Sequence, residues 1–402
     1  TTVLPRSRDT SPMVEQTDVV VLGGGIVGTA AAFHLAERGV ETLLVDDGRE
    51  GSATAAGAGI ISPPTSSRRE DDDWFAFAVE AAGHYPTLIR RLEELGIDDH
   101  SYLETAMLSV ALTEQEAETL ETDRKRAECR GADVSEITPE AAKAAFPALA
   151  DVEKALRFAG AARVAGATLT SGIRRAASRS GLTTLDGVVE EIVVEDGAVA
   201  GVVVDAPGRP SRQQQRPPGD LERIDADRVV VAGGAWSSGF GADLGLSLPV
   251  SPTRGQIVHL DAGEGGVFDD TTDLPIVGSV ADNYIVPWDE NRLVVGATRE
   301  EDAGFDTRTT AGGVHEVLDS GLRLAPGLDD ASFHEVRVGL RPGSPDGLPI
   351  LGPVPDVDGA YVATGHGPTG LTLGPYSGKV IAQLIQGEEP TVDLSAFDPA
   401  RF

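Results

Sequence analysis

Residues 17–38, TDVVVLGGGIVGTAAAFHLAER, decide the fold that we expect for this chain. The apolar, β-branched run at 17–22 predicts a strand buried in a parallel sheet. Residues 26–38 predict a helix that stops at Gly39, because glycine commonly terminates helices. Residues 41–45 predict a second strand, so the chain begins with a βαβ unit.

The glycines between the first strand and the helix follow the spacing G-x-G-x-x-G. Gly23 would permit the tight turn, Gly25 would let a diphosphate approach the backbone, and Gly28 would let the helix pack closely on the strand. The amides at the helix start would then face the phosphates. Asp46 ends the second strand, where an acid can accept hydrogen bonds from ribose hydroxyls. Together these features predict a dinucleotide site.

The chain after Asp46 favours FAD over NAD as the dinucleotide. Residues 51–62, GSATAAGAGIIS, form a loop of small residues that could wrap a second side of the diphosphate. An NAD-binding fold would normally continue into further βαβ units. This chain instead leaves into a long helical segment and returns at 229–237, VVVAGGAWS, which suits a cofactor that lies across two domains. An NAD-dependent dehydrogenase remains the alternative.

The bulk composition is that of a globular protein of two domains. The 402 residues exceed the size of one ordinary domain, and 41% are hydrophobic. No apolar run approaches the roughly 20 residues of a membrane helix, so we expect no integral membrane segment. Residues 1–16 are polar and lack the apolar core of a secretion signal. They are interpreted as an N-terminal extension of a cytoplasmic protein.

The net charge of −31 is spread along the whole chain, and only four residues are lysine. Dispersed acid with few lysines suits a surface that stays hydrated in concentrated salt, where screening weakens self-repulsion. A halophilic cytoplasm is the preferred interpretation, and an ordinary acidic protein is the alternative. Either way a nucleic-acid partner is not expected, because phosphate binding requires a basic face.

Several blocks of sequence resemble the D-amino acid oxidase and glycine oxidase group of flavoproteins, which includes D-amino acid dehydrogenases and sarcosine oxidases. The resemblance covers nearly the whole chain after residue 16. Its blocks are DVVVLGGGIVG (18–28), VVVAGGAWS (229–237), YIVPWDENRLVVGATRE (284–300), and GLRPGSPDGLPILGP (339–353) followed by GHGPTGLTLGPYSGK (365–379). The hairpin block and the last pair are the more specific to this group.

The resemblance implies a mixed α/β and α+β fold. A Rossmann-like FAD domain is expected from three pieces of chain, and a cap on a bent antiparallel sheet is expected to form the substrate pocket. The implied FAD pieces are residues 17–65, 155–245 and 335–395, and the implied cap pieces are 66–154 and 246–334.

The implied activity is oxidation of an amino-acid-like amine. A hydride would pass from Cα to flavin N5, and the imine would hydrolyse to an oxo acid. Glycine or a D-amino acid is the first choice of substrate. Oxygen or a quinone-type carrier would reoxidise the flavin, and a homo-oligomer is possible. A secondary-amine enzyme acting on sarcosine, proline or an opine, as a subunit of a larger complex or alone, stays open, as does a flavin-binding protein without catalysis.

Two residues in the resembling blocks are implied to handle the substrate. Arg341 would bind the carboxylate, because a guanidinium fork gives two charge-assisted hydrogen bonds. Its alternative is a structural ion pair, for example with Asp346. Tyr284 would line the substrate site, although a tyrosine in a hairpin is often only packed.

Weaker hypotheses concern three further residues. Arg299 would favour an acidic substrate side chain if it pointed into the pocket, and otherwise it is a solvated strand end. Arg254 has the same status. His366 either tunes the flavin or is a structural loop histidine.

The remaining cofactor contacts are expected in loops and at the start of the last helix, whose amides would stabilise negative charge on the reduced flavin. They are Thr54, Ala58, Gly59, Val189, Gly233, Gly365, Gly367, Gly370, Leu371 and Thr372. Relatives with covalent flavin carry a cysteine near the 339–353 block, whereas the single cysteine here is Cys129. FAD is therefore expected to bind non-covalently. The seven histidines show no metal-ligand spacing, and no metal is expected.

Overall fold

The computed structural model describes residues 15–206, 221–263, 267–268 and 270–402. Most of the expected N-terminal extension (1–16) lies outside the described residues. The same holds for most of residues 206–222, where the Pro-, Gly- and Gln-rich sequence predicts an inserted loop.

Two sheets and their covering helices make up the described chain. The strands are β1 (Gln16–Leu22), β2 (Thr42–Asp46), β3 (Ile60–Ile61), β4 (Leu103–Ala111), β5 (Val134–Ile137), β6 (Lys154–Arg163), β7 (Thr183–Asp186), β8 (Val188–Glu195), β9 (Ala198–Asp205), β10 (Glu222–Val231), β11 (Ser251–Asp261), β12 (Ile276–Ser279), β13 (Tyr284–Pro287), β14 (Arg292–Gly296), β15 (Ser332–Gly343), β16 (Ile350–Pro353) and β17 (Ala360–Thr364). The helices are α1 (Ile26–Glu37), α2 (Ala53–Ala56), α3 (Asp72–Glu94), α4 (Glu114–Cys129), α5 (Pro139–Ala145), α6 (Gly166–Arg179), α7 (Ala311–Leu324) and α8 (Gly370–Ile385).

The first sheet has the order β16-β17-β10-β1-β2-β7, with β9 and β8 added beside β10. Strand β1 lies parallel to both β10 and β2, and its apolar residues Val19, Val20 and Val21 are fully buried. Burial on both faces explains why the run of β-branched residues is continuous rather than alternating. The expected Rossmann-like fold is confirmed.

The second sheet has the order β15-β11-β14-β13-β12-β4-β6-β3, and β5 pairs with β6. Its pairs are antiparallel except for β12 and β4, which run parallel. The antiparallel sheet that was expected thus contains one parallel pair, because β12 reaches β4 through a long connection rather than a hairpin.

Three strands belong to a different sheet from the one that the expected domain pieces imply. Residues 60–61, 155–163 and 335–343 were expected in the FAD domain, whereas β3, β6 and β15 lie in the second sheet. We propose that the domain boundaries follow the sheets, so that these three strands are part of the cap.

The alternating pattern of residues 183–205, with turn residues at 195–197, predicts a hairpin, and the structure divides this segment. Residues of β7 pair in parallel with β2, while β8 and β9 form the hairpin around the turn at Asp196 and Gly197. Gly187 separates the two parts, and the amide of Gly187 still bonds the carbonyl of Asp46.

Helix α1 packs closely against α8. Ala30 and Ala31 are fully buried, and a Cβ added to Gly378 would collide with their backbone. Small residues on both helices thus allow the close approach that their contact requires. No helix in the described ranges is long and apolar enough to cross a membrane.

Two histidines lie inside this helical layer. The rings of His34 on α1 and His84 on α3 have centroids 5.6 Å apart, and the Nε2 atom of each is buried without a hydrogen-bond partner. Burial, reinforced by the nearby Lys379 ammonium, lowers the pKa of His84 to about 4, and burial together with His84 lowers the pKa of His34. Both rings are therefore neutral in the folded protein at neutral pH.

Acidification should destabilise the fold through these rings. The unfolded chain takes up protons near its usual histidine pKa of about 6.5, whereas the folded rings do not, so stability is lost as pH falls from about 6.5 toward 4. The cost is about 2 kcal/mol for His84 between pH 7 and 5. Urea unfolding at both pH values should show that the free energy of unfolding depends less on pH in His84→Gln than in the wild type. Replacement of the exposed His315 should leave that slope unchanged, and equal slopes in both variants would contradict the assignment.

Candidate active site

One large cavity of about 730 Å³ lies at the carboxyl ends of β1, β2 and β10 and extends to the second sheet. Ligand sites typically occupy roughly 300–1,000 Å³, and open sheets bind ligands at these strand ends. Glycine-rich turns line one end of the cavity, and side chains from β13 and β15 line the other.

The glycine turn has the geometry that its spacing predicts. Gly23 has φ +103°, and a Cβ there would lie 2.5 Å from the carbonyl oxygen of Ala232. A Cβ on Gly28 would collide with the carbonyl oxygen of Gly23, so Gly28 supports the packing of α1 on the turn. At Gly25 an added Cβ would meet only the Thr54 hydroxyl, at 3.3 Å. Gly25 therefore leaves open the space beside the helix start.

Helix α1 begins at the cavity wall without a capping side chain of its own. The hydroxyl of Thr54, in the short helix α2, accepts a hydrogen bond from the Ile26 amide at 3.1 Å. The N-terminal end of a helix attracts anions through its free amides and its dipole. This end of the cavity is thus built to receive phosphate.

Asp46 stands at the end of β2 and lines the cavity. Arg174 of α6 donates to the carbonyl of Gly24 at 3.0 Å and lies 3.4 Å from the Asp46 carboxylate. The guanidinium thus ties the acid to the glycine turn.

Arg341 and Tyr284 meet at the other end of the cavity, above two glycines. The register of β13 and β14 places Tyr284 opposite Gly296, and a Cβ on Gly296 would lie 2.5 Å from the tyrosine hydroxyl oxygen. A Cβ on Gly255 of β11 would collide with the guanidinium of Arg341. The two functional side chains occupy the space that these glycines leave.

The Arg341 guanidinium is fixed by the backbone. Its Nη1 donates to the carbonyl of Thr298 at 2.9 Å, and its side chain also hydrogen-bonds to Tyr284. Burial lowers the pKa of Arg341, yet an arginine starts so far above neutrality that it stays charged. The alternative of an ion pair with Asp346 is wrong, since that carboxylate binds Arg401 at 2.8 Å. A cation that lines a cavity without a carboxylate bonded to it is suited to bind an anionic ligand.

Comparison with known proteins agrees with this geometry. A family profile described as DAO, FAD dependent oxidoreductase, matches residues 18–384. The chain belongs to the DAO family of FAD-dependent oxidoreductases.

Individual relatives of this DAO-family chain match over almost their full lengths. It is 38% identical over 388 residues to the uncharacterized oxidoreductase YurR of Bacillus subtilis (strain 168), which covers 95% of this chain and 98% of that protein. It is 33% identical over 392 residues to a glycine oxidase of Pseudomonas aeruginosa, with coverage of 95% and 98%. The solved structure of iminodiacetate oxidase from Chelativorans sp. BNC1 superposes with a TM-score of 0.86 at 36% identity, and covers 95% of this chain and 98% of its own.

The cofactor of the DAO family is FAD, and the residues at the glycine end fit it. The open space at Gly25, the free helix start and Asp46 match a diphosphate and a ribose. Most of the expected contact residues line the cavity, namely Gly23, Gly25, Asp46, Thr54, Ala58, Gly59, Val189, Gly233, Gly367, Gly370, Leu371 and Thr372.

Two of the expected cofactor residues do not line the cavity. Gly28 lies behind the turn in the packing described above. Gly365 has φ +74°, and its missing Cβ faces Ile350 and Ser344. Gly365 therefore shapes the turn after β17 instead of facing the cofactor.

Helix α3 hydrogen-bonds to the loop that precedes α8 and to the first turn of α8. The indole Nε1 of Trp74 donates to the Thr369 hydroxyl at 3.3 Å, and the Tyr85 hydroxyl donates to the carbonyl of Leu371. These contacts fix the amides of the helix start against the cavity.

Cys129 is exposed at the end of α4 and does not line the cavity. Non-covalent attachment of FAD stays a prediction. Among the residues that the structure describes, no group of three or more His, Cys, Asp or Glu side chains could hold a metal ion.

His366 lines the cavity, and a hydrogen bond to α8 fixes its ring. Its Nε2 lies 2.9 Å from the Ser377 hydroxyl of α8, and burial lowers its pKa to about 4. The ring is neutral at neutral pH and fixes the loop before α8, which favours its structural role.

Arg299 and Arg254 have different places, although both were open candidates. Arg299 lines the cavity mouth, half exposed, where it contacts the Asp282 carboxylate and lies 3.4 Å from the Ser67 hydroxyl. Arg254 is buried away from the cavity and bonds Glu300 at 2.6 Å. Arg254 is thus structural, whereas Arg299 adds a cation near Arg341.

Sequence reasoning missed five residues of this site. Arg174, Asp282, Gly255, Gly296 and Thr298 contact the predicted residues from other parts of the chain. Gly296 and Thr298 carried a sequence signal, since both stand with Tyr284 in the resembling block 284–300.

Proposed function

We propose that this enzyme oxidises the carbon beside the amine of a small amino-acid-like substrate, with glycine or a D-amino acid as the first choice. The observation that carries the proposal is the partly buried Arg341 guanidinium beside Tyr284, in the same cavity as the FAD-binding turn. A paired arginine fork and a hydroxyl are suited to hold a carboxylate.

The protein residues would bind and orient the substrate. Arg341 would hold the carboxylate by two hydrogen bonds, and Tyr284 would donate a third. Burial raises the pKa of Tyr284, against the effect of the Arg341 and Arg299 charges, so its hydroxyl keeps its proton. These contacts would fix the Cα–H bond in one direction, which is the main contribution of a positioning site.

Bound FAD supplies the acceptor for the hydride that leaves Cα. The amine would enter the reaction without its extra proton, and the nitrogen lone pair would form the C=N bond of an iminium ion as the hydride departs. Water would then hydrolyse the iminium ion to an oxo acid and ammonium. Each turnover therefore consumes one amine and leaves a reduced cofactor for an external oxidant.

Anaerobic reduction of the bound flavin by a panel of amines tests the proposal. Glycine and D-alanine should bleach the flavin absorbance faster than L-alanine, sarcosine or proline. Bleaching by sarcosine or proline alone would favour a secondary-amine enzyme. A flavin that no amine in the panel reduces would contradict the proposed reaction class.

Reoxidation separates an oxidase from a dehydrogenase. An oxidase should form one hydrogen peroxide for each amine consumed in air. A dehydrogenase should turn over only with a quinone-type or artificial acceptor. Peroxide release measured against oxo acid formation decides between them.

A second candidate substrate is a secondary amine with two carboxylates, and Arg299 favours it. Arg299 lines the same cavity as Arg341 and Tyr284, and its charge acts to lower the pKa of both. It could therefore hold a second acidic group while Arg341 holds the first. The relative that is 36% identical is named for oxidation of iminodiacetate, a molecule of this type.

Arg299→Gln should separate the two candidates. For a substrate with two carboxylates the change should raise KM about tenfold, because one charge-assisted contact is lost. For glycine KM should stay within about twofold. Arg292→Gln is the matched control, since Arg292 lies on β14 outside the cavity lining. Steady-state kinetics with glycine and iminodiacetate give the answer, and equal effects on both would remove Arg299 from recognition.

A further inference from the structure

A cluster of buried polar side chains lies directly behind Arg341. Its members are Arg254 and Gln256 of β11, and Thr298 and Glu300 after β14. Gln256 and Thr298 are fully buried, and none of the four lines the cavity. Their chain neighbours Gly255, Ala297 and Arg299 do line it. Successive side chains in both segments point in opposite directions. Every second residue therefore lines the cavity, and the cluster residues between them lie behind its wall.

The cluster is linked without a gap to the Arg341 guanidinium. The carbonyl of Thr298 accepts from Arg341 at 2.9 Å. The Thr298 hydroxyl accepts from the amide of Gln256 at 2.9 Å and donates to Glu300 at 2.8 Å. Two hydrogen bonds thus fix the Thr298 hydroxyl, while the Thr298 carbonyl binds the arginine.

Glu300 and Gln256 complete the cluster. Glu300 Oε1 accepts from the Gln256 amide group at 2.7 Å, and its Oε2 accepts from Arg254 at 2.6 Å. Gln256 also donates to the Thr310 hydroxyl at 2.9 Å and accepts from the Thr310 amide at 3.0 Å, which ties the cluster to the start of α7. Every hydrogen-bonding group of the Gln256 side chain is therefore engaged, so the side chain has one orientation.

The charges in the cluster are balanced within it. Arg254 lies 2.6 Å from Glu300 and 3.0 Å from Asp306. Burial raises the pKa of Glu300, but hydrogen bonds from Arg254, Gln256 and Thr298 outweigh burial and hold that pKa below its usual value. The opposite charges of Arg254 and Glu300 offset each other, so the contact of the cluster with Arg341 is the hydrogen bond to the Thr298 carbonyl.

We propose that Thr298, Gln256, Glu300 and Arg254 are positioning residues that set the direction of the Arg341 guanidinium, and that Gly255 supplies the space it occupies. This inference rests on the proposed function, in which Arg341 binds a carboxylate. None of the four side chains touches substrate or cofactor. Their effect on the reaction passes entirely through the Thr298 carbonyl and the space above Gly255.

Thr298→Val and Thr298→Ser test the side-chain part with the FAD-loaded enzyme. Valine keeps the shape but loses the hydroxyl, whereas serine keeps the hydroxyl. The valine variant should bind the probe acetate about tenfold more weakly, read from the change in flavin absorbance, and should raise KM and lower kcat. The serine variant should restore these values to within about twofold. A merely structural hydroxyl would lower thermal stability without changing the acetate Kd.

Gly255→Ala tests the space above β11, because the new methyl group collides with the guanidinium. Acetate should bind this variant at least tenfold more weakly. Gly312→Ala is the control, since nothing lies within 4 Å of a Cβ there. Wild-type acetate affinity in both Thr298→Val and Gly255→Ala would overturn the inference. If Gly255→Ala does not fold, the valine and serine pair decides alone.

Arg341→Ala separates failure of this inference from failure of the proposed function. If Arg341→Ala weakens acetate binding and Thr298→Val does not, only the positioning inference is wrong. If acetate binds equally well to Arg341→Ala, Arg341 does not bind a carboxylate, and both fail.

Discussion

Replacing Arg341 with alanine should lower kcat/KM by roughly 10²- to 10³-fold while the protein stays loaded with FAD. Removing one partner of a buried charge-assisted pair costs about 3 to 4 kcal/mol, and each 1.4 kcal/mol corresponds to about tenfold. FAD should remain because Arg341 lies on β15 in the second sheet, whereas the glycine turn follows β1 in the first. Steady-state kinetics and the ratio of flavin to protein absorbance check both parts.

Arg341→Lys gives a sharper version of the same experiment. Lysine keeps the charge but offers no planar fork, so the loss should be smaller than with alanine but still at least tenfold. Arg292→Gln is again the control, because Arg292 contacts His334 outside the cavity. Unchanged kinetics in the alanine variant would show that the carboxylate binds elsewhere.

The expected loss should appear as a higher KM and as a lower kcat. Binding energy from the carboxylate also orients the Cα–H bond, so its loss affects the transition state as well as the substrate complex. A variant that raised only KM would show that Arg341 holds the carboxylate without orienting the reacting bond.

The first βαβ unit could be predicted from sequence because its signals are local. The buried run of β1, the glycine spacing and the stop at Gly39 all lie within neighbouring residues, and the structure follows them closely. Sheet membership is not local. The sequences of β6 and β15 do not indicate that these strands belong to the second sheet, because their position depends on partner strands far along the chain.

The resembling sequence blocks led to the predicted substrate residues. They did not indicate which residues surround them. Arg341 and Tyr284 stand in two such blocks, yet the space they occupy depends on Gly255 and Gly296 of other strands. Which of two alternating residues faces a cavity is set by strand register, and a shift of one residue reverses it. For this reason Arg254 and Arg299 could not be told apart in the sequence, although one is buried in a network and the other lines the mouth.

His366 shows a similar limit. A histidine between glycines beside a predicted flavin site could serve the cofactor or the loop. The hydrogen bond to Ser377 of α8 favours the role in the loop, and the sequence does not reveal this partner because it depends on how the turn before α8 folds against the helix.

Gly25→Val should yield a folded protein that cannot bind FAD. Gly25 has φ −69° and ψ −177°, an extended conformation that valine adopts without strain. A Cβ there meets only the Thr54 hydroxyl at 3.3 Å, so the side chain would enter the space beside the helix start instead of the core. Purified Gly25→Val should be colourless, with a far-ultraviolet circular dichroism spectrum like that of the wild-type apoprotein and no rise in Tm on addition of FAD.

Two further glycine variants show whether the loss of FAD is specific. Gly83→Val on the exposed face of α3 has open space around its Cβ and should stay yellow. Gly28→Val should fail to fold, because its side chain collides with the Gly23 carbonyl that the turn requires. A fully loaded yellow Gly25→Val protein would refute the phosphate site. The contrast of Gly25 with Gly28 thus separates the glycine that faces the ligand from the glycine that holds the turn together.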